Sequence, residues 1–220
     1  MTSAAWGVLS GVLDAVSFAV MIQPVAWPRA GKRRQAPARL SWLVWAGLYQ
    51  VMFWASAAAG ARGSLWIVAV EAAGTAAMLG LSLRWGRGTL AVARVSLRPR
   101  LTVAVESWPD LLVVLGAAAA LAGWQLTSSA SAGVVLSVAT DSLAALPLVT
   151  AAWRDPLSSS LLGWASTGLA SLAAVPSVTS GQPVVLYAYP VSGVVLDTAI
   201  AAVLLAARRR PASPAGAQTI

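Results

Sequence analysis

The chain contains no cysteine and no histidine. The first absence excludes disulfides, thiol catalysis and cysteine-based metal sites. The second removes histidine metal ligands and serine–histidine triads. The only lysine is Lys32, in a basic stretch between apolar segments. A retinal Schiff base needs a lysine in a late helix, so a light-driven seven-helix protein is excluded. Charge of any sign is scarce, at 10% of residues, where soluble domains carry about 25%. No phosphate loop, dinucleotide fingerprint or metal motif is present. The run Gly86, Arg87, Gly88 follows an apolar stretch, lacks a preceding strand and a third glycine, and reads as an ordinary turn.

What remains is apolar. Hydrophobic residues make up 58% of the chain, and the mean hydropathy is +0.75. An integral membrane protein follows. A helix spans a bilayer with about 20 apolar residues, and seven stretches meet that length: 5–27, 38–60, 63–83, 104–125, 131–153, 158–177 and 184–207. The first has no basic region before it, and so reads as a membrane helix, not a cleaved signal peptide. The fourth begins near Ser107, Trp108, Pro109 and Asp110, a helix start with proline in its first turn. The stretch 88–106 before it is expected to be a cytoplasmic loop or an interfacial helix.

The basic residues sort by side. Arg29, Lys32, Arg33, Arg34 and Arg39 lie between stretches 1 and 2, and Arg84, Arg87, Arg94, Arg98 and Arg100 follow stretch 3. Arg154 follows stretch 5, Arg208, Arg209 and Arg210 follow stretch 7, and Arg62 stands alone on the other side. Fourteen against one is a strong positive-inside pattern. It predicts an outside N-terminus and a cytoplasmic C-terminus, in the plasma membrane of a bacterium. The net charge of +8 is explained by anionic lipid at the cytoplasmic loops, and no nucleic-acid partner is implied. Trp6, Trp27, Trp66, Trp85, Trp124 and Trp153 fall near predicted interfaces as an aromatic belt. The tail 208–220 is expected to be cytoplasmic and disordered.

Four acids sit inside the apolar stretches: Asp14, Glu71, Asp141 and Asp197. A carboxylate at a helix centre in a bilayer costs at least ~2.5 kcal/mol, and such residues face a bundle interior or a wet cavity. From the predicted outer ends, Asp14, Glu71 and Asp141 lie roughly 12–15 Å deep, with Asp197 nearer the cytoplasm. No basic residue shares that depth. Burial and neighbouring carboxylates both favour the neutral form of such a group. It can then be neutral when closed and ionised when wet, as proton coupling requires. A structural role, hydrogen-bonding a neighbouring hydroxyl or carbonyl, stands beside that reading.

The acids also expose a repeat. Ser41 to Trp45 overlay Ser160 to Trp164 at an offset of 119, which places Gly74 on Gly193 and Glu71 on Pro190. Asp14 overlays Asp141 at an offset of 127, the difference falling in the basic loop 28–39. The expected fold is an all-α membrane protein of seven transmembrane helices, with two parallel three-helix repeats joined by a linker helix (3+1+3). The units are 5–83 and 131–207, with 104–125 between them. An axis along the membrane normal relates repeats of this kind. Gly74, Gly80 and Gly193 read as close helix packing.

On this layout, the outside N-terminus, the run Ser41 to Trp45, and prolines toward the cytoplasmic ends of helices 1 and 5, the chain resembles the PQ-loop/SWEET superfamily of small membrane transporters. The Pro-Gln dipeptide of that family stands reversed here as Gln23 and Pro24, and as Leu146 and Pro147 in the second unit. The resemblance implies a secondary transporter of a small polar solute working by alternating access, with proton coupling through the carboxylates as an option. It implies no enzyme activity and no cofactor. Pro24 and Pro147 are then hinges, Trp45 and Trp164 gate candidates, and Tyr187 and Tyr189 neighbours of Glu71 in one cavity. Tyr49 and Gln50 add polar tips. Asparagine is absent, so an asparagine pair for sugar hydroxyls has no counterpart. The expected partners are the solute, anionic lipid and, as an open option, further copies of the chain. A non-transporting scaffold or receptor of the same fold is the alternative.

Overall fold

The computed structural model describes residues 1–28, 30–31, 34–86, 90–95, 98–103, 108–157 and 159–210. Among them are seven α-helices and one hairpin: α1 (Ser3–Ala26), α2 (Arg39–Ala58), α3 (Leu65–Trp85), β1 (Leu90–Val95), β2 (Arg98–Val103), α4 (Trp108–Thr127), α5 (Ala130–Arg154), α6 (Leu161–Ala174) and α7 (Ala188–Arg208). The chain is an all-α membrane protein apart from that hairpin. Four segments among the described residues are long and apolar enough to cross a bilayer, namely Ser3–Ala26, Leu65–Trp85, Ala130–Arg154 and Val184–Arg208.

Local chemistry explains the ends. The Thr2 hydroxyl accepts from the amide of Ala5 at 3.3 Å, and the Ser160 hydroxyl from that of Gly163 at 3.1 Å. Both cap a helix N-terminus. Helix α6 is shorter than the stretch 158–177 predicted for it. Pro176 has no amide hydrogen to donate to Leu172, so the α-helix ends at Ala174 and a 3-10 turn, Val175–Ser177, follows. Helix α7 is likewise preceded by a 3-10 turn, Val184–Tyr187, and carries Pro190 in its first turn, where proline is tolerated.

The segment expected as a loop or interfacial helix is instead an antiparallel hairpin, with Leu90 opposite Val103 and Val95 opposite Arg98. In β2, Arg98, Arg100 and Thr102 alternate with Pro99, Leu101 and Val103, a period of two that suits a pleated ribbon better than a helix face. Residues 104–107, the predicted start of the fourth helix, and the tail 211–220 lie outside the described residues.

The packing is inverted relative to a soluble protein. Along α1, Val8, Val12 and Val16 are exposed while Ser10, Asp14 and Ser17 are fully buried. The same holds on α7, with Val191 and Val195 exposed and Asp197 buried. Apolar groups outside and polar groups inside is the arrangement a hydrocarbon solvent favours. Helices then associate through close fit and buried hydrogen bonds. The Ser17 hydroxyl donates to the Gly163 carbonyl at 2.7 Å, joining α1 to α6. Gly74 faces the Phe18 ring, and Gly193 faces the Ser171 hydroxyl, each with no room for a Cβ. Gly80, expected to pack closely, has nothing near the place a Cβ would occupy.

Helix α1 packs on α3 and α6, α5 packs on α7 and α2, α2 packs on α3, and α6 packs on α7. Helix α4 lies outside this set, against α5 and part of α2. Among the described residues, one end of the helix bundle gathers Arg34, Arg39, Arg84, Arg154 and Arg208 to Arg210. There Arg39 donates to the Ser82 carbonyl at 3.0 Å, Arg208 to the carbonyls of Pro156 and Ser159, and Gln35 to that of Leu157. Arg34 and Arg84 both lie over the Trp85 ring. Arg62 stands at the other end, in the connection between α2 and α3.

Candidate functional site

The four intramembrane acids come from four helices: Asp14 from α1, Glu71 from α3, Asp141 from α5 and Asp197 from α7. All are buried, Asp14 completely. Counted from the Arg62 end, Asp14 and Asp141 each lie eleven residues into their helices, roughly 17 Å along the axis. Asp197, expected nearer the basic end, lies nine residues into α7, roughly 14 Å along. The later start of α7 brings it level with the others. Among the described residues, no lysine or arginine lines the space that Glu71, Asp141 and Asp197 face.

Three of the carboxyls have a hydroxyl partner. Tyr49 donates to Asp141 Oδ1 at 3.3 Å, Tyr189 to Glu71 Oε1 at 3.2 Å, and Ser171 to Asp197 Oδ2 at 3.3 Å. The Tyr49 and Tyr189 rings meet edge to face, 5.9 Å between centroids. Asp141, Tyr49, Tyr189 and Glu71 thus form one row across α5, α2, α7 and α3. Asp14 is the exception, with neither oxygen hydrogen-bonded.

Glu71, Asp141 and Asp197 line one cavity between the helices, together with Thr75, Thr167 and a set of aromatic rings. The rings are Phe18, Trp42, Trp45, Tyr49 and Trp164. Trp45 and Trp164 stand on opposite walls, their centroids 5.8 Å apart, and Trp42 packs edge-on against Trp45 at 5.2 Å. The Trp45 indole N–H is buried beside Asp141 but outside hydrogen-bond geometry, and it has no other partner. The space open to the centre of a water-sized sphere is about 20 Å³, enough for a water and too small for a sugar or an amino acid. The site is closed.

Toward the basic end, a second hollow lies beyond this cavity. It is bounded by Gln35, Val25, Met78, Leu148 and Ser160, and it shares Met21 and Trp42 with the first. The tryptophans therefore stand between the carboxyls and the basic end. The Arg62 end is held shut by connections. Gln182 donates to the Gly60 carbonyl at 2.7 Å, and Gly7 meets the backbone of Gly63. Tyr187, predicted beside Tyr189, is part of this closure: its hydroxyl donates to the Val178 carbonyl at 3.2 Å.

Pro24 lies near the basic end of α1, and Pro147 seven residues before the end of α5. Each helix continues past its proline, with one backbone hydrogen bond fewer. Several partners had no distinct sequence signal: Ser171, Thr75, Thr167 and Ser17 are buried among many similar residues in a chain rich in serine and threonine. Helical spacing from an acid marks Ser17 and Thr75 alone, since α6, which carries Thr167 and Ser171, has no acid. Family models, curated proteins and solved structures were all compared with the chain, and none matches.

Proposed function

We propose that the protein is a secondary transporter of a small polar solute, working by alternating access and coupled to protons through the intramembrane carboxyls. The observation that carries this reading is the closed cavity at mid-depth, lined by Glu71, Asp141 and Asp197 with no cationic partner. Keeping such groups in a membrane interior is costly, and they commonly mark a solute or proton path. Hydroxyl partners from neighbouring helices stabilise either protonation state. Tyr49 and Tyr189 can donate to a carboxylate, and each can accept from a carboxylic acid.

The packing supports seven spanning helices in two related units. Exchanging α1 with α5, α2 with α6 and α3 with α7 maps the contacts α1–α6, α2–α3 and α1–α3 onto α5–α2, α6–α7 and α5–α7. Helix α4 falls outside that set, as a 3+1+3 linker would. On this reading the units are 5–83 and 131–207, in the manner of the PQ-loop/SWEET superfamily. The gathering of arginines at one end supports a cytoplasmic basic face with the N-terminus outside, and Pro24 and Pro147 are the hinges. The smallness of the cavity is the one feature favouring the alternative, a non-transporting scaffold with a permanently closed interior.

The test is flux. The protein in proteoliposomes, with an imposed pH gradient and a panel of small solutes, should show solute-dependent proton movement. Asp141→Asn keeps size and hydrogen bonding but stays neutral, and should abolish gradient-driven uptake while sparing some exchange. Absence of flux for every solute with the folded wild type would sink the proposal.

A further inference from the structure

The cavity has a chemistry of its own beyond being a solute site. Its walls combine acids with aromatic faces, and nothing basic. Phe18, Trp42, Trp45, Tyr49 and Trp164 supply the rings, and Glu71, Asp141 and Asp197 the carboxyls. Among the described residues, the three carboxyls that line it have no cation to neutralise them. In the same bundle interior both Asp14 oxygens are fully buried and unsatisfied. Buried polar groups ordinarily find a partner.

Resting on the transporter reading, we infer that the solute is a monovalent organic cation, an ammonium carrying methyl or methylene groups, held by the aromatic box and neutralised by the carboxyls. Three alternatives fit less well. An anion has no basic group to meet it. A zwitterion would bring its carboxylate against three acids with no basic group to offset them. A metal ion needs converging ligands, and among the described residues no three acidic side chains approach closely enough to hold one. The faces of tryptophan and tyrosine attract quaternary ammonium groups, most strongly when water is excluded. A cation also suits the proton economy of the site. The titratable groups around it are Asp14 from α1, Tyr49 from α2, Glu71 from α3, Asp141 from α5, and Tyr189 and Asp197 from α7; α6 contributes Trp164 and hydroxyls but no titratable group. A bound cation and a proton compete for the same carboxyls, so the site holds one or the other, as exchange requires. Admission requires the tryptophans to part, because the closed cavity has room for only a water.

The test is binding of radiolabelled choline to the full chain in lipid nanodiscs, at pH 6 and pH 8. Competitors are tetramethylammonium, the neutral isostere 3,3-dimethylbutan-1-ol, the zwitterion glycine betaine, and glucose. Choline should bind saturably, several-fold more tightly at pH 8. The neutral isostere should compete at least about 10-fold more weakly. Trp164→Leu should weaken binding about 10-fold, a loss within the cation–π range, and Trp164→Phe should restore most of it, which mere packing would not predict. Equal binding of the neutral isostere, or no binding of choline and tetramethylammonium, overturns the inference. If another solute from the flux panel is then carried, the transporter reading survives without it. If no solute binds or moves, both fall.

Discussion

Trp45 of α2 and Trp164 of α6 meet across the bundle with ring centroids 5.8 Å apart, although 119 residues separate them in the chain. They sit on the basic side of the carboxyl layer, and Trp42, packed against Trp45, borders both hollows as a plug would. Trp42 and Phe18 continue the layer on one flank, 6.5 Å between their centroids.

A plug has a direct consequence. Cysteine placed at Thr167, on the cavity wall, should react slowly with a charged thiol reagent applied from the basic end. Adding Trp164→Ala should speed that reaction about 10-fold or more, and Trp164→Phe should not. The chain has no native cysteine to confuse the reading. Equal rates in all three would mean the indole does not separate the hollows.

Sidedness is checked with the same chemistry. Arg62→Cys should label from outside intact cells, and Arg210→Cys only after the membrane is opened. The asymmetry of basic residues between the two ends motivates this order. Labelling of both from one side would overturn the orientation.

Glycines test the packing. Gly193→Ala and Gly74→Ala would push a Cβ into Ser171 and the Phe18 ring, and overpacking of this kind costs about 1–3 kcal/mol. Gly80→Ala meets nothing and should stabilise α3 by roughly 0.5–1 kcal/mol through its better helix propensity. Thermal unfolding in detergent reads both signs. A uniform loss at all three positions would contradict the helix interfaces described.

The tyrosine row should be energetically modest and mutually dependent. Tyr49→Phe and Tyr189→Phe each remove one buried hydrogen bond, worth about 0.6–1.7 kcal/mol between membrane helices. Because the rings touch, the double variant should not equal the sum of the two. Additive losses would indicate that each carboxyl answers to its own tyrosine alone.

Much of this was legible in the residues. A carboxylate in an apolar run has few places to go, so the burial of all four acids follows from hydropathy alone. The pairing of Trp45 and Trp164 as gate candidates came from an offset in the sequence, and the two rings do lie in contact. What hydropathy could not supply was handedness and depth. Helix ends set depth, and the 3-10 turn before α7 moved Asp197 into the layer of the others. Pro176 was visible as a break, but an apolar run hides where a helix stops. Of the hairpin, only the strand 98–103 carried a signal as alternation, against the pull of the arginines toward a loop. Tyr187 and Tyr189 look alike in sequence and part company because the α-helix begins between them, leaving one hydroxyl to close the end and sending the other to Glu71.

Asp14 offers the sharpest separation of stability from function. Its carboxyl is fully buried with neither oxygen hydrogen-bonded. Leaving a buried polar group unsatisfied costs about 1–3 kcal/mol, and replacing it with an apolar group of similar shape can recover that cost. Asp14→Leu should therefore raise stability by about 1 kcal/mol or more, and Asp14→Asn should leave it nearly unchanged. Transport should move the other way. On the proposed mechanism both variants remove a proton-exchanging group, and both should lose gradient-driven flux, as expected where function is maintained at the expense of stability. Unfolding and flux measured on the same preparations decide the matter. If Asp14→Leu instead unfolds more easily by 2 kcal/mol or more, the carboxyl is structural. If both variants keep wild-type flux and its pH dependence, Asp14 is no part of the proton path, and the coupling must rest on Glu71, Asp141 and Asp197.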